Sequence, residues 1–573
     1  MVNKIISKGR DFLISPQSSV LSAASIIMVM IIASRALGLV RQRVLAHYFL
    51  PGDLSLFFAA FRLPDLVFEV LVFGTFSSAF IPVFSKALQK GNRHAWDIAS
   101  SIVNIGLLIF SFFAIIVSFN ASFLYGVIAP GFSDAETEKI AQLARLLFAA
   151  QGFFVMSYVL TGVLESLRRF LVPALAPLFY NLGIILGTLV FADSAGLNAP
   201  VYGVVIGAMS HFAIQLPLAY KLGFRFKPKI IFSQDVRKIG KLALPRLIEV
   251  SFLQVSKMAE LFFSSLISTA SYTYFTFANS LQLLPVGLFG TSIAKAALPT
   301  LSLQADEPGK FSKTLLGALY QLVFLTAPVA TILIVLRIPA VRLVYGTDIF
   351  DWQATVQTGY ILSAFALGVI FQSSTALLAR SFYALHDTRT PVVVSIISIF
   401  IIIFTDYLLV IVFGFPAWAL ALAFSIGSFF QSAVLFYLIN RKILKKPIED
   451  LIKPVVKVLV AAFVSGLFMR FLLEAFDKSA WTKRLSLLSR SDIARNIPFE
   501  RFVLDTRYTL NLLILTVFIT VVGLGIYFLI LLSLHSEELK TFKGLVQRVF
   551  AKRKLSPIPD EEEPVSPTPS DIQ

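Results

Sequence analysis

The sequence contains no cysteine, which excludes disulfides, thiolate nucleophiles and Cys-ligated metals. Its five histidines are scattered, and no H-x-x-H or H-E-x-x-H spacing predicts a zinc site. The chain also lacks a Walker A loop for ATP and a G-x-S-x-G motif for a serine nucleophile. We therefore expect the protein not to be an enzyme and not to draw its energy from bound ATP.

Charged residues are scarce at 14%, against roughly 25% in ordinary globular proteins. Hydrophobic residues make up 57% of the 573 positions, and the mean hydropathy is +0.80. Uncharged runs near or above the ~20 residues that cross a bilayer recur along most of the chain. The composition predicts a multi-pass membrane protein. The net charge of +17 then suits basic residues beside membrane spans, and we expect no nucleic-acid partner.

Apolar runs predict an all-α integral membrane fold of about fourteen transmembrane helices. The predicted spans lie near 20–48, 54–85, 95–119, 140–164, 171–192, 199–220, 242–265, 271–301, 314–336, 354–384, 391–413, 417–439, 454–474 and 508–534.

An internal repeat indicates how these spans are organised. FGTFSSAFIPVFS at 73–85 and FGTSIAKAALPTLS at 289–302 share FGT and then A-x-[IL]-P-x-x-S. They end spans two and eight, so six spans separate them and the repeats have the same orientation. We predict two pseudo-symmetric six-helix lobes, 20–221 (the N-lobe) and 222–440 (the C-lobe), with a cavity between them. A helix pair with an outside loop at 476–507 follows at 441–535.

Loop charges predict that both termini are cytoplasmic. With the N-terminal segment 1–19 inside, the cytoplasmic segments hold 29 of the 50 Lys and Arg residues, and the six short outside loops hold only Lys139, Arg337 and Arg342. The late outside loop 476–507 disagrees, since it holds seven, but late loops influence topology less than early ones. The cytoplasmic tail 536–573 becomes rich in Pro, Ser and acidic residues and is predicted to be largely disordered.

The first two spans carry Arg35, Arg41, Arg62, Asp65 and Glu69. Ionisable groups inside a membrane are costly and usually face a cavity or a partner. On a helix, Arg62, Asp65 and Glu69 share one face. Guanidinium groups stay charged when buried and bind phosphate bidentately. We therefore predict a site for a phosphate or pyrophosphate, in which the two carboxylates moderate the positive field.

Other charges in the spans have simpler interpretations. Arg43 is predicted to extend to the membrane interface or to pair within the protein. Lys257 and Glu260 are three residues apart, so an internal ion pair is the plain alternative to a site. Lys295 lies in span eight. Asp406 has no partner nearby in the sequence, which is typical of a proton site, a sodium site or an interhelical hydrogen bond.

Seven segments together resemble the MurJ (MviN) family of the MOP exporter superfamily, in family order and spacing across roughly 20–535. They are SRALGLVRQRVLAHYF at 34–49, FFAAFRLPDL at 57–66, FGTFSSAFIPVFSKAL at 73–88, APGF at 129–132, RRFLVPALAPLFYN at 168–181, LPVGLFGTSIAKAALPTLS at 284–302 and FYALHDTRTPV at 382–392.

The resemblance implies a fourteen-helix flippase for lipid II, the undecaprenyl-pyrophosphate-linked precursor of peptidoglycan. It implies alternating access in a bacterial cytoplasmic membrane, with the last two helices guiding the lipid tail. The implied partners are lipid II, membrane lipids and cell-wall synthesis proteins. No cofactor is implied beyond Na⁺ or H⁺ as a coupling ion.

The resemblance also assigns residues. Arg35 and Arg41 match the two arginines of the family's first helix, and Arg62 matches the basic residue before Leu-Pro in the second. Glu260 and Asp406 align with the acidic ligands of a sodium site found in some members.

The sequence departs from the family where charges are expected at four positions: Ser55, Phe68, Phe73 and Asn279. We keep Asn279 as a headgroup-binding position on the second lobe. The missing charges leave three alternatives open: a flippase for another polyprenyl-pyrophosphate-linked glycan, a non-transporting cell-wall scaffold, and an antiporter of the related MATE type.

Overall fold

A computed structural model of the chain describes residues 20–70, 79–478 and 503–535, without the side chains of 20–27, 243–249 and 448. Outside this part lie the predicted N-terminal segment 1–19, residues 71–78 in the first copy of the repeat, most of the loop 476–507 and the tail 536–573. The described part contains no β-strand, only an isolated bridge between Asp477 and Leu504. The predicted all-α class is confirmed.

In the described residues, the N-lobe contains ten helices, several of which are short segments of longer spans. They are α1 (Val20–Tyr48), α2 (Pro51–Ala60), α3 (Arg62–Phe68), α4 (Ile81–Lys90), α5 (Asn92–Phe119), α6 (Ala121–Ile128), α7 (Asp134–Ser166), α8 (Leu171–Ala195), α9 (Asn198–Ala213) and α10 (Leu216–Lys221).

The C-lobe and the final helix pair contain the remaining helices, and three π-helical turns interrupt or extend them. The helices are α11 (Gln234–Ile267), α12 (Ser271–Pro285), α13 (Ser292–Leu303), α14 (Pro308–Val335), α15 (Arg337–Tyr345), α16 (Trp352–Ala384), α17 (Arg389–Asp406), α18 (Trp418–Ile439), α19 (Ile448–Phe476) and α20 (Thr509–Ser533). The π-helical turns are Val286–Thr291, Tyr407–Val412 and Asn440–Leu444.

Twelve helices of the described part are long and apolar enough to cross a membrane, from Asn92–Phe119 to Thr509–Ser533. They coincide with predicted spans three to fourteen. Predicted span one corresponds to the 29-residue α1. Span two corresponds to α2, α3 and α4, with 71–78 outside the described residues. The count of fourteen and the lobe boundaries at 221 and 440 therefore stay predictions.

Side-chain caps set the starts of three long helices, because the first backbone N–H groups of a helix lack partners within it. Ser133 and Glu136 form a reciprocal capping box at the start of α7. Ser233 accepts from the Val236 N–H at the start of α11, and Asp351 begins α16 in the same manner. These caps lie on both sides of the predicted membrane core and fix where the spans begin.

Glycines allow α8 and α9 to cross at backbone contact. Gly183 and Gly187 face Gly203 and Gly207, and a Cβ on any of the four would collide with backbone atoms of the other helix. Both pairs have the G-x-x-x-G spacing that permits close packing of membrane helices. The contact fixes α8, which also packs along α1 and so supports the first arginine-bearing helix.

We expect Gly187→Ala to lower the melting temperature of the purified protein in detergent. The added methyl group overlaps the Gly203 backbone, which cannot move without separating the helices. Such overpacking lowers the free energy of unfolding by about 1–3 kcal/mol. The control is Gly317→Ala in α14, where a Cβ meets nothing within 4 Å. Equal melting temperatures for the two variants would contradict the close crossing.

The helix pair α19 and α20 packs against the C-lobe through α14. Tyr527 donates to the Phe324 carbonyl oxygen at 2.9 Å, and Ser465 donates to the Gly523 carbonyl oxygen at 2.7 Å. The other face of the pair exposes large apolar side chains, with Phe463 at 67%. Such a face suits lipid rather than water.

Candidate functional site

A charged cluster lies where α3 of the N-lobe meets α11 and α12 of the C-lobe. We define it as Arg62, Asp65, Glu69, Lys257 and Glu260. Arg62 is its cationic centre on the N-lobe side: its Nε donates a short hydrogen bond to the hydroxyl of Tyr272, and its Cζ lies 5.4 Å from the centre of that ring.

Carboxylates surround this guanidinium from both lobes. Asp65 and Glu260 both act electrostatically on Arg62. Asp65 also accepts a 2.6 Å hydrogen bond from the side-chain amide of Gln151 on α7. Arg62 is therefore held by neutralising partners, as a buried cation must be when no anionic ligand is bound.

The second ion pair of the cluster joins the two lobes directly. Lys257 Nζ lies 2.9 Å from a carboxylate oxygen of Glu69, and Gln254 donates a short hydrogen bond to the same carboxylate. The sequence had offered an internal pair between Lys257 and Glu260 as the plain interpretation. The structure instead pairs Lys257 with Glu69, because α3 and α11 face each other. The predicted common face of Arg62, Asp65 and Glu69 meets α11.

Arg41 of α1 stands apart from these pairs. Its Nε is buried without a hydrogen-bond partner among the described residues. The hydroxyls of Tyr180 and Tyr345 are its electrostatic neighbours, and neither is a carboxylate. A guanidinium left in this state can accept an anion without first losing an ion pair.

Arg35 lies between the lobes, six residues before Arg41. Its Cζ is 3.3 Å from the position that a Cβ on Gly287 would occupy, so a glycine in the C-lobe π-helical turn makes room for the guanidinium. Arg35 also lines a cavity of about 350 Å³ with Ser34, Thr161 and Glu165 of the N-lobe. This placement agrees with the predicted orientation of Arg35 toward a cavity.

Two further predicted cavity positions lie elsewhere. Asn279 accepts a 2.8 Å hydrogen bond from Gln282, which in turn accepts one from Gln372 at 3.2 Å. Lys295 is exposed on α13. Within the part of the chain that the structure describes, no hydrogen bond or ion pair joins either residue to the charged cluster. The role of Asn279 as a headgroup-binding position stays a prediction.

Asp406 is 2% exposed at the end of α17, and its Oδ1 has no hydrogen-bond partner among the described residues. Its electrostatic neighbour is Glu260 of α11. Two carboxylates near each other in a membrane interior need a shared proton or a cation. Carboxylate oxygens are suitable ligands for hard cations. The structure thus brings together the two residues that the sequence analysis assigned to a cation site.

The lobes also meet at one end of the bundle, which we call the closed end. Ser55 and Thr273 place their hydroxyl oxygens 2.9 Å apart, and Thr273 donates to the Pro51 carbonyl oxygen. The backbone of Gly131 approaches that of Ser265 so closely that no side chain fits between them. In the predicted topology this end faces outside.

The end of α1 completes the closed end. Gln42 donates to Ser280 at 2.7 Å and accepts from Tyr345 at 2.9 Å. Arg43 donates to the carbonyl oxygens of Leu343 and Val344, both at 3.0 Å. Arg43 thereby caps the last turn of α15, where a cation is favoured. Of the two expectations for Arg43, the structure shows pairing within the protein, to backbone groups of the C-lobe.

Two departures from the family pattern find physical roles in this structure. Ser55 is fully buried in the closed end, where a charge would be costly. Phe68 is 6% exposed and packs against Phe154 and Tyr158, at 6.1 and 5.4 Å between ring centres. Phe73 lies outside the described residues.

The sequence analysis missed the uncharged members of the site. Tyr272, Gln254 and Gln151 each bond a residue of the charged cluster. The available signal was the spacing of Gln254 and Lys257, which places two polar side chains one turn apart in an apolar span.

These features define a helical membrane protein with the fold seen in transporters of the MOP superfamily. The fold matches the solved structure "Lipid II flippase MurJ, inward closed conformation" with a TM-score of 0.69 and 23% identity, covering 88% of this chain and 99% of that one. An inward-facing MATE family multidrug resistance transporter of the same superfamily matches with a TM-score of 0.60 and 13% identity, covering 72% and 95%.

The sequence comparisons identify the family within that superfamily. The family model "Lipid II flippase MurJ" matches residues 45–490. The probable lipid II flippase MurJ of Vibrio cholerae is 28% identical over 444 residues, 74% of this chain and 84% of the relative. The lipid II flippase MurJ of Burkholderia cenocepacia is 25% identical over 468 residues, 78% and 89% of the two chains. The chain belongs to the MurJ family.

The closed end can be tested by cross-linking, because the chain has no cysteine of its own. We expect Ser55→Cys with Thr273→Cys to form a disulfide readily on mild oxidation, since the hydroxyl oxygens they replace are 2.9 Å apart. The measurement is the mobility shift of a chain cleaved between the lobes.

The matched control combines Ser55→Cys with Ser292→Cys, which lies on the C-lobe beyond the π-helical turn. Equal cross-linking of the control pair, or none of the Ser55–Thr273 pair, would contradict the described contact.

Proposed function

We propose that this protein moves lipid II from the inner to the outer leaflet of a bacterial cytoplasmic membrane. Relatives that match most of the chain are named lipid II flippases. The observation that carries the proposal is the buried Nε of Arg41, which has no hydrogen-bond partner among the described residues. A pyrophosphate is a strong anionic partner for such a group, and its double charge suits more than one arginine.

The headgroup site that we infer consists of Arg35, Arg41 and Arg62. In the described part of the chain, Nε of Arg41 has no hydrogen-bond partner, whereas Arg62 is held by Tyr272 and nearby carboxylates. An entering pyrophosphate would meet Arg41 first and then compete with the carboxylates for Arg62. Asp65 and Glu69 thus offer the arginines an alternative partner when the substrate leaves, which makes release less costly.

Alternating access follows from the two-lobe arrangement. The lobes are joined at the closed end and by the Glu69–Lys257 pair in the interior. With the N- and C-termini in the cytoplasm, as the loop charges favour, the closed end faces outside and the cavity is reached from inside. Opening the closed end while the opposite end closes would present the headgroup to the outer leaflet. The apolar face of α19 and α20 would accompany the lipid tail.

The energy source that we propose is an ion gradient or the membrane potential. Glu260 and Asp406 are the candidate ligands for Na⁺ or H⁺, because Asp406 Oδ1 is buried without a partner and the two carboxylates interact. A bound cation would relieve their repulsion. It would also weaken the hold of Glu260 on Arg62, since the two are electrostatic neighbours.

We expect Arg35→Gln and Arg41→Gln each to slow the flipping of lipid II in proteoliposomes by about tenfold or more. Each change removes a charge-assisted hydrogen bond to phosphate. The measurement is the fraction of labelled lipid II that becomes accessible in the opposite leaflet with time. The native-sequence protein should also restore growth in a bacterium depleted of its own lipid II flippase.

Arg145→Gln is the matched control. Arg145 is an arginine of a membrane-spanning helix whose partner is Glu138 at 3.1 Å, away from the charged cluster. Its variant should flip lipid II at the native rate. Native rates in both Arg35→Gln and Arg41→Gln would refute the pyrophosphate site. Flipping of another polyprenyl-pyrophosphate glycan, but not of lipid II, would leave the site in place and change the substrate.

The cation site makes a separate prediction. We expect Na⁺, compared with choline, or a lower pH to raise the melting temperature of the native protein, and Asp406→Asn to abolish that response. A ligand present at about 100 times its dissociation constant raises the free energy of unfolding of the protein by about 2.7 kcal/mol.

Asp387→Asn is the control for the cation test, since Asp387 is a carboxylate paired with Lys442 at 3.1 Å between α16 and α17. The Asp387→Asn variant should show the same rise in melting temperature with Na⁺ or lower pH as the native protein. Identical Na⁺ and pH responses in Asp406→Asn and the native protein would exclude this carboxylate from the site.

A further inference from the structure

A buried polar network in the N-lobe takes no part in the function proposed above. Ser157 Oγ lies 2.6 Å from Nδ1 of His211, and Gln215 Nε2 donates to Ser157 Oγ at 2.8 Å. Thr161 donates to Gln215 Oε1 at 2.9 Å. Ser157 and Gln215 are fully buried, and His211 is 5% exposed. The network thus places a titratable imidazole inside a membrane-spanning lobe, where ionisable groups are usually functional.

The network gives Nδ1 of His211 a hydrogen-bond partner in both protonation states of the ring. With a neutral ring, the Ser157 hydroxyl donates to Nδ1 and accepts from Gln215. With a protonated ring, Nδ1–H donates to Ser157 Oγ, and the hydroxyl can turn to the His211 carbonyl oxygen at 3.2 Å. Gln215 also donates to that carbonyl oxygen, at 3.1 Å. Gaining or losing a proton therefore requires the rotation of one hydroxyl and leaves no polar group of the network unpaired.

A route for the proton leads to the cavity that holds Arg35. Thr161, the last member of the network, lines that cavity of about 350 Å³ together with Glu165, one helical turn further along α7. The cavity has room for water and contains polar groups that can hold it. The imidazole is thus separated from that cavity by three polar side chains, Ser157, Gln215 and Thr161.

The surroundings of His211 favour release as well as uptake. Phe154 packs edge-on at 5.2 Å and Tyr158 stacks at 6.1 Å between ring centres. Within the described residues, no carboxylate hydrogen bonds to His211. The ionisable groups on the helices packed against α9 are Asp134, Glu136, Glu138, Lys139, Arg145, Tyr158 and Glu165 on α7, Tyr180 and Asp193 on α8, and Tyr220 and Lys221 on α10. An imidazolium here depends on nearby water, so closing the cavity favours the loss of its proton.

We propose that His211 is a proton-binding site of the N-lobe that is loaded and emptied during transport, with Ser157 as its positioning residue. A hydronium ion in the cavity transfers a proton to the imidazole, which forms an N–H bond and leaves water. The reverse transfer empties the site. This site is separate from the carboxylate pair Glu260 and Asp406 of the C-lobe. Its place in a transport cycle rests on the proposed function, whereas proton binding itself does not.

The first test measures proton binding without any lipid substrate. Full-length protein with ¹⁵N-labelled histidine is placed in nanodiscs, and the His211 signal, assigned by its loss in His211→Gln, is followed from about pH 8 to about pH 4. The signal should titrate reversibly. Ser157→Ala should move its midpoint to lower pH by about one unit, because the imidazolium loses an acceptor. A His211 signal that does not change, or that ignores Ser157→Ala, would overturn the proposal.

The second test measures coupling in proteoliposomes with a pH difference imposed across the membrane. The native protein should flip lipid II at a rate that changes severalfold with the pH difference, and His211→Gln should be insensitive to it. His47→Gln is the control, because His47 is exposed at the end of α1. An unchanged pH response in His211→Gln would overturn the coupling role. Titration of His211 without any flipping by the native protein would contradict the proposed function and leave the proton site standing.

Discussion

The cost of holding charge in a membrane interior governs this structure. Arg62 and Lys257 cannot remain between the lobes without anions, so the resting protein supplies its own. Glu69 pairs with Lys257, while Asp65 and Glu260 neutralise Arg62. Because these partners come from both lobes, the same charges that await a substrate also hold the lobes together. Among the described residues, the buried Nε of Arg41 has no hydrogen-bond partner, and it marks where an anion would gain most.

The uncharged contacts are of two kinds, hydrogen bonds between the lobes and a close backbone contact within the N-lobe. The closed end is built from hydroxyl, amide and backbone groups, such as Ser55 with Thr273 and Gln42 with Tyr345. Neutral hydrogen bonds are individually modest, so such an end can open during a cycle. The glycine crossing of α8 and α9 is instead a rigid backbone contact. A lobe that moves as a body needs such a rigid interior and weaker bonds at its edge.

The fold class and most spans could be predicted from the sequence, because hydropathy and length report directly on membrane helices. The arginines of the first two spans could also be found, since charges are conspicuous in apolar runs. The partners of these charged residues could not be predicted from the sequence. From the sequence, Lys257 was given a partner on its own helix, Glu260. Its partner in the structure is Glu69, which directly follows α3 and lies about 190 positions away in the chain. Tyr272 and Gln254 are ordinary polar residues until packing brings them to Arg62 and Glu69.

The interlobe ion pair is the element of this account that can be tested most directly. Flipping of lipid II would be measured for Glu69→Lys, for Lys257→Glu and for the double exchange, all at equal amounts in proteoliposomes. Each single exchange places two like charges together between the lobes and should abolish most of the activity. The double exchange restores the pair in reverse and should recover a large part of it. A double exchange as inactive as the single ones, or single exchanges with native activity, would contradict the account.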